Sequence, residues 1–123
     1  MLSIHGLSKV YEGPRKRIVF TGVDLELAIG EYVGVMGESG IGKSTLLNLI
    51  AGLERPDAGS IEVDGVDLAH LDDDGLTRLR GQRMGFVFQA FHILPYLSVS
   101  QNVELPLRLQ NAPLDEARSR ATW

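Results

Sequence analysis

Gly37-Glu38-Ser39-Gly40-Ile41-Gly42-Lys43-Ser44 matches the phosphate-binding loop pattern G-x-x-x-x-G-K-[ST] at every fixed position. The chemistry this spacing suits is the gripping of a polyphosphate. A triphosphate carries dense negative charge, and a loop of this kind meets it with main-chain N–H groups and one full cation. Gly37, Gly40 and Gly42 allow positive φ and let the backbone come close to phosphate oxygens. Lys43 supplies the cation for the β- and γ-phosphates. The Ser44 hydroxyl suits the octahedral oxygen shell of Mg²⁺.

Such a loop works where a strand hands over to a helix, and the flanking residues predict that placement. Tyr32-Val33-Gly34-Val35-Met36 is an unbroken apolar run, which reads as a strand buried on both faces. After the loop, apolar residues at 46, 49, 50 and 53 have the spacing of one helix face. The start of that helix offers unpaired N–H groups and a partial positive charge to an anion.

The rest of the composition is that of an ordinary globular protein: 123 residues, net charge −4, 44% hydrophobic and 23% charged. The length suits one small domain. The mildly acidic balance argues against nucleic acid as the main partner. Arg15-Lys16-Arg17 is a tight basic cluster that a short surface loop explains equally well. There is no cysteine, so neither a disulfide nor a thiolate zinc site is expected. Met1 to His5 carries no charged n-region or apolar h-region, so no export signal is read. No apolar run approaches the ~20 residues that a membrane span needs.

Along the chain, residues 2–11 predict a first strand and Glu12-Gly13-Pro14 a turn. Residues 18–29 alternate, with Val23, Leu25, Leu27 and Ile29 on one side, as in a strand with one wet face. Two such strands before a fully apolar one suggest an antiparallel flap beside a parallel core. Residues 54–59 read as a turn-rich linker, 60–64 as a short strand and Asp64-Gly65 as a tight turn. Residues 71–82 read as a helix with Asp72, Asp73 and Asp74 early and Arg78, Arg80 and Arg83 late, an order that suits the helix dipole. Met84-Gly85-Phe86-Val87-Phe88 predicts a second core strand ending at Gln89. An apolar irregular stretch, residues 90–97, follows. Ser98 to Gln101 reads as a capping box that opens a helix, Pro106 would kink or end it, and Pro113 starts another.

Taken together, Leu7-Ser8-Lys9-Val10-Tyr11, residues 37–45, Ala51-Gly52-Leu53, Pro56-Asp57-Ala58-Gly59 and Gly85-Phe86-Val87-Phe88-Gln89 resemble the nucleotide-binding subunit of an ABC transporter. Residues 79–95 and Asn102-Val103-Glu104-Leu105-Pro106-Leu107 are most similar to the branch that serves lipoprotein release, macrolide export and antimicrobial-peptide efflux. The resemblance implies an α/β P-loop NTPase: a partial ABC-type core with an N-terminal antiparallel β flap and the start of a helical subdomain. It implies that Tyr11 stacks on adenine, that Gly37, Glu38, Ser39, Gly40, Ile41, Gly42, Lys43, Ser44 and Thr45 hold ATP, and that Ser44 and Gln89 touch Mg²⁺. Lys43 and Gln89 would serve catalysis, Gln89 also through the attacking water. Glu38 and Ile41 depart from common residues at variable positions, where contact runs mainly through the backbone.

The partners so implied are a transmembrane permease docking near Phe91–Leu97 and a second copy of the subunit. The location so implied is cytoplasmic, on the inner face of the membrane. The family's signature motif, acidic strand end with its glutamate, and switch histidine are not found in the sequence. Residues 1–123 are therefore expected to be the N-terminal part of one nucleotide-binding domain, binding nucleotide without turnover. A small P-loop kinase or GTPase is the alternative enzyme class, although neither an arginine-rich lid nor an N-K-x-D-type loop is found. A non-catalytic binding fragment is the other.

Overall fold

The computed structural model describes residues 1–90 and 92–122. They divide into two compact units, Met1–Leu76 and Thr77–Trp123.

The first unit is built on a four-stranded antiparallel sheet of order β2-β1-β3-β4. Its strands are β1 (Leu2–Tyr11), β2 (Arg17–Leu27), β3 (Ala58–Val63) and β4 (Val66–Asp67). β1 lies between β2 and β3, so its main chain is paired on both edges. β2 alternates as read as far as Leu27, with Val23, Leu25 and Leu27 half-buried and Asp24 and Glu26 exposed; Ile29, expected on the same side, lies beyond the end of the strand and is exposed. Helix α1 (Lys43–Ile50) buries Leu46 and Leu49, and these join Ile4, Leu7, Ile61, Val63, Leu68 and Leu76 in an apolar core. β3 starts at Ala58, inside the stretch read as a linker, because it pairs Ala58 with Ser8 of β1. Gly59 allows that approach: with φ +87, a β-carbon there would lie 2.5 Å from the His5 carbonyl oxygen. Helix α2 (Asp73–Arg83) carries Asp73 and Asp74 in its first turn and Arg80 and Arg83 in its last, as the charge order predicts.

In the second unit, α3 (Val99–Leu109) packs on α4 (Leu114–Ala121). Ala117 is fully buried there. The capping box is complete. Ser98 Oγ accepts from the Gln101 N–H at 3.2 Å, and Gln101 Oε1 accepts from the Ser98 N–H at 2.8 Å. α3 does not end at Pro106 but runs on to Leu109. One absent N–H donor leaves the rest of the helical ladder in place. Pro113 is the cap before α4 rather than its first helical residue.

Two strand expectations are corrected. Residues 31–36 form no strand and are exposed, Tyr32 and Met36 by 99% and 91%. Residues 84–88 form none either, and Val87 is fully exposed. The physical reason is the same for both. A strand is made by hydrogen bonds to a neighbouring strand, and among the described residues neither segment has one. Phe86 and Phe88, two apart in this segment, nonetheless stack with ring centroids 5.9 Å apart.

Candidate functional site

The loop from Gly37 to Gly42 enters α1 directly. Gly37, Gly40 and Gly42 have φ of +153°, +80° and +118°, so none has ordinary extended geometry. Gly42 is the N-cap of α1, and no side-chain oxygen caps the helix in front of its first N–H groups. An N-terminus of this kind suits an anion. A β-carbon on Gly42 would collide with Val19 and crowd the Phe20 ring. Two neighbouring residues of β2 thus back the loop and hold its main chain against the sheet.

Lys43 opens α1 and folds back over the loop. Its Nζ donates to the carbonyl oxygens of Gly37 and Glu38, each at 2.7 Å. The ammonium therefore sits at the loop's mouth, held by bonds that a stronger anionic acceptor can replace. Ser44 follows and is exposed; Thr45 is half-buried. Ser39 and Ile41 lie on the exposed outer turn, where the Ile41 N–H donates to the Glu38 carbonyl at 3.4 Å.

Tyr11, the last residue of β1, reaches this same region. Its hydroxyl donates to Glu54 Oε2 at 2.6 Å and lies 3.4 Å from Thr45 Oγ1. Glu54 Oε1 accepts from Asn48 Nδ2 of α1 at 3.0 Å. These bonds, first that from Tyr11 and then that from Asn48, hold the Glu54 carboxyl below its ordinary value. The Lys9 ammonium adds to them and partial burial works against them.

Arg17 is the cross-strand partner of Tyr11, so both side chains leave the hairpin on one face. The Arg17 guanidinium donates to the Gly40 carbonyl oxygen. Tyr11 and Arg17 thereby reach α1 and the loop respectively. Sequence reasoning missed Arg17 and Glu54. The register that sets Arg17 opposite Tyr11 is a property of the folded hairpin, and Glu54 lies in a stretch that reads as linker.

The first unit therefore brings together Tyr11, the loop, Lys43, Ser44 and Thr45. Gln89 belongs to the other unit, exposed at the end of residues 84–88. There, His92 stacks on Phe88 at 4.3 Å and its Nδ1 lies 3.0 Å from the Ala90 carbonyl oxygen. Of the expected docking stretch 91–97, Phe91 lies outside the described residues, while Ile93 and Tyr96 are exposed.

The model of the ABC transporter family matches residues 20–123. The chain belongs to the ABC transporter family. It is 45% identical over 123 residues to the lipoprotein-releasing system ATP-binding protein LolD of Pseudomonas fluorescens, covering 99% of this chain and 54% of LolD. It is 41% identical to the macrolide export ATP-binding/permease protein MacB of Escherichia coli, covering 99% of this chain and 19% of MacB. Among solved structures it matches the ATP-binding cassette MJ0796, in a dimeric post-hydrolysis state bound to ADP and Pi. The TM-score is 0.89 at 39% identity, over 98% of this chain and 54% of the other. The chain thus spans about half the length of LolD and of that cassette. The fold is that of an ABC-type P-loop ATPase cassette, seen here as an antiparallel sheet with helices.

Proposed function

We propose that this chain binds MgATP as the N-terminal part, residues 1–123, of one nucleotide-binding domain of an ABC transporter. The observation that carries the reading is the loop of positive-φ glycines that ends on the uncapped N-terminus of α1, with the Lys43 ammonium at its mouth. The chain's residues fit a nucleotide. Main-chain N–H groups from Gly37 to Thr45 and the Lys43 ammonium take the phosphates, and the Tyr11 ring takes the base. Ser44 would hold Mg²⁺, whose chemistry when bound is to neutralise charge on the phosphate oxygens.

In the whole protein, two such domains would enclose two nucleotides. Hydrolysis would energise export or lipoprotein release by a membrane permease, the roles that the names of MacB and LolD carry. No described helix is long and apolar enough to cross a membrane. The chain would sit on the inner, cytoplasmic face through the permease, with the exposed side chains of residues 92–97 toward it. Equilibrium titration with MgATP, followed by competition with GTP, tests the reading. Saturable ATP binding that GTP displaces weakly is expected. A strong preference for GTP, or no binding of MgATP at all, overturns it.

A further inference from the structure

Tyr11 ends β1 just before an exposed turn, where a ring is free to swing unless something holds it. Glu54 does. The Tyr11 hydroxyl donates to Glu54 Oε2 at 2.6 Å, and Glu54 Oε1 is held by Asn48 Nδ2 at 3.0 Å. Main-chain bonds from the Leu53 and Glu54 N–H groups to the Asn48 carbonyl oxygen, at 2.9 and 3.4 Å, tie the same segment to α1 again. Lys9 lies with its ammonium 5.4 Å from the Tyr11 ring centroid and donates to the Arg55 carbonyl oxygen at 2.8 Å. The Lys9 ammonium thus stands over one face of the ring.

Resting on the nucleotide reading of the loop, we propose that Glu54 is a positioning residue. It fixes the Tyr11 ring relative to α1, so that the base platform and the phosphate cradle are held at one spacing before nucleotide arrives. A ring ordered in advance costs a ligand less to use. The Glu54 carboxylate bonds to Tyr11 and to Asn48, so its effect is expected in the base half of the nucleotide alone.

The test compares MgATP with magnesium tripolyphosphate, which has the phosphates and no base, on the protein and four variants. Glu54→Ala is expected to weaken ATP binding about three- to tenfold, the net scale of one ordinary hydrogen bond, and to leave tripolyphosphate binding unchanged. Glu54→Gln, which keeps an oxygen to accept from Tyr11, is expected to restore most of the ATP affinity. Tyr11→Phe keeps the ring and loses the bond, and is expected to match Glu54→Ala. The double variant Tyr11→Phe/Glu54→Ala is expected to be no weaker than either single one. Equal losses for ATP and tripolyphosphate in Glu54→Ala, an unaffected Tyr11→Phe, or additive losses in the double variant each overturn the positioning role and leave the nucleotide reading standing. Unaltered protein that binds neither ligand overturns both.

Discussion

Val19 leaves no room for a side chain on Gly42: a β-carbon there would lie 2.4 Å from Val19 Cγ1, well inside van der Waals contact. Gly42 also has φ +118, a region where a side chain is strained whatever the space. Gly42→Ala is therefore expected to lower stability by about 1–3 kcal/mol from the backbone alone, with further loss from the overlap, and to abolish MgATP binding. Adding Val19→Ala removes the overlap but not the unfavourable φ. The double variant should recover part of the melting temperature and little of the binding. Thermal unfolding and nucleotide titration of the three proteins check this.

Lys43 presents the opposite case. Its two bonds go to loop carbonyls at a solvent-open mouth, so their loss should cost little stability. Charge-assisted contacts to phosphate contribute about 1.5–3 kcal/mol. Lys43→Ala is expected to weaken MgATP binding roughly tenfold to a hundredfold while shifting the thermal transition by a few degrees at most. Unchanged affinity in an equilibrium titration would refute the phosphate cradle.

These two residues were legible in the sequence because their signals are local. The same holds for the Ser98 and Gln101 capping box and for the charge order of α2. Each needs only neighbours within a turn or two. The alternation of β2 was legible because one face of it is wet. Residues 32–36 and 84–88 were not readable in this way. Their apolar runs state that a strand would suit them, but strands are made by partners far off in the chain. Arg17 and Glu54 were missed for a related reason. Arg17 matters through its register against Tyr11, and Glu54 through a carboxylate that meets Tyr11 and Asn48 only after folding.

The lowered pKa of Glu54 gives stability a defined pH dependence. The folded carboxyl titrates below its ordinary value of 4.5, chiefly because Tyr11 and Asn48 donate to the ionised form. Its contribution is therefore fully present above the unfolded value and is lost as pH falls through the folded one. Glu54→Gln has the same shape and cannot titrate. The stability difference between the protein and Glu54→Gln should be constant from pH 7 to about 5 and shrink below that, as denaturant unfolding at a series of pH values would show. A difference that grows on acidification would reverse the sign of the assignment.

Asn102 holds the stretch proposed to meet the permease. Its Oδ1 accepts from the Leu94 N–H at 2.9 Å, while Nδ2 faces the carbonyl oxygens of Leu94, Leu97 and Ser98 at 3.2, 3.1 and 3.0 Å. An amide nitrogen has two protons, so one is shared among these acceptors. A single side chain on the first turns of α3 thus fastens both ends of residues 94–97, with Tyr96 exposed between them. The α3 capping box rests on Ser98 and Gln101 and does not need Asn102. Asn102→Ala is therefore expected to leave helix content unchanged while raising amide hydrogen exchange at Leu94 by about tenfold, the value of one to two net hydrogen bonds. Asn102→Asp keeps the acceptor for the Leu94 N–H but turns a carboxylate toward three carbonyl oxygens, and should loosen the stretch at least as much. If the Leu94 amide keeps its protection in both variants, the tether is not what orders this surface.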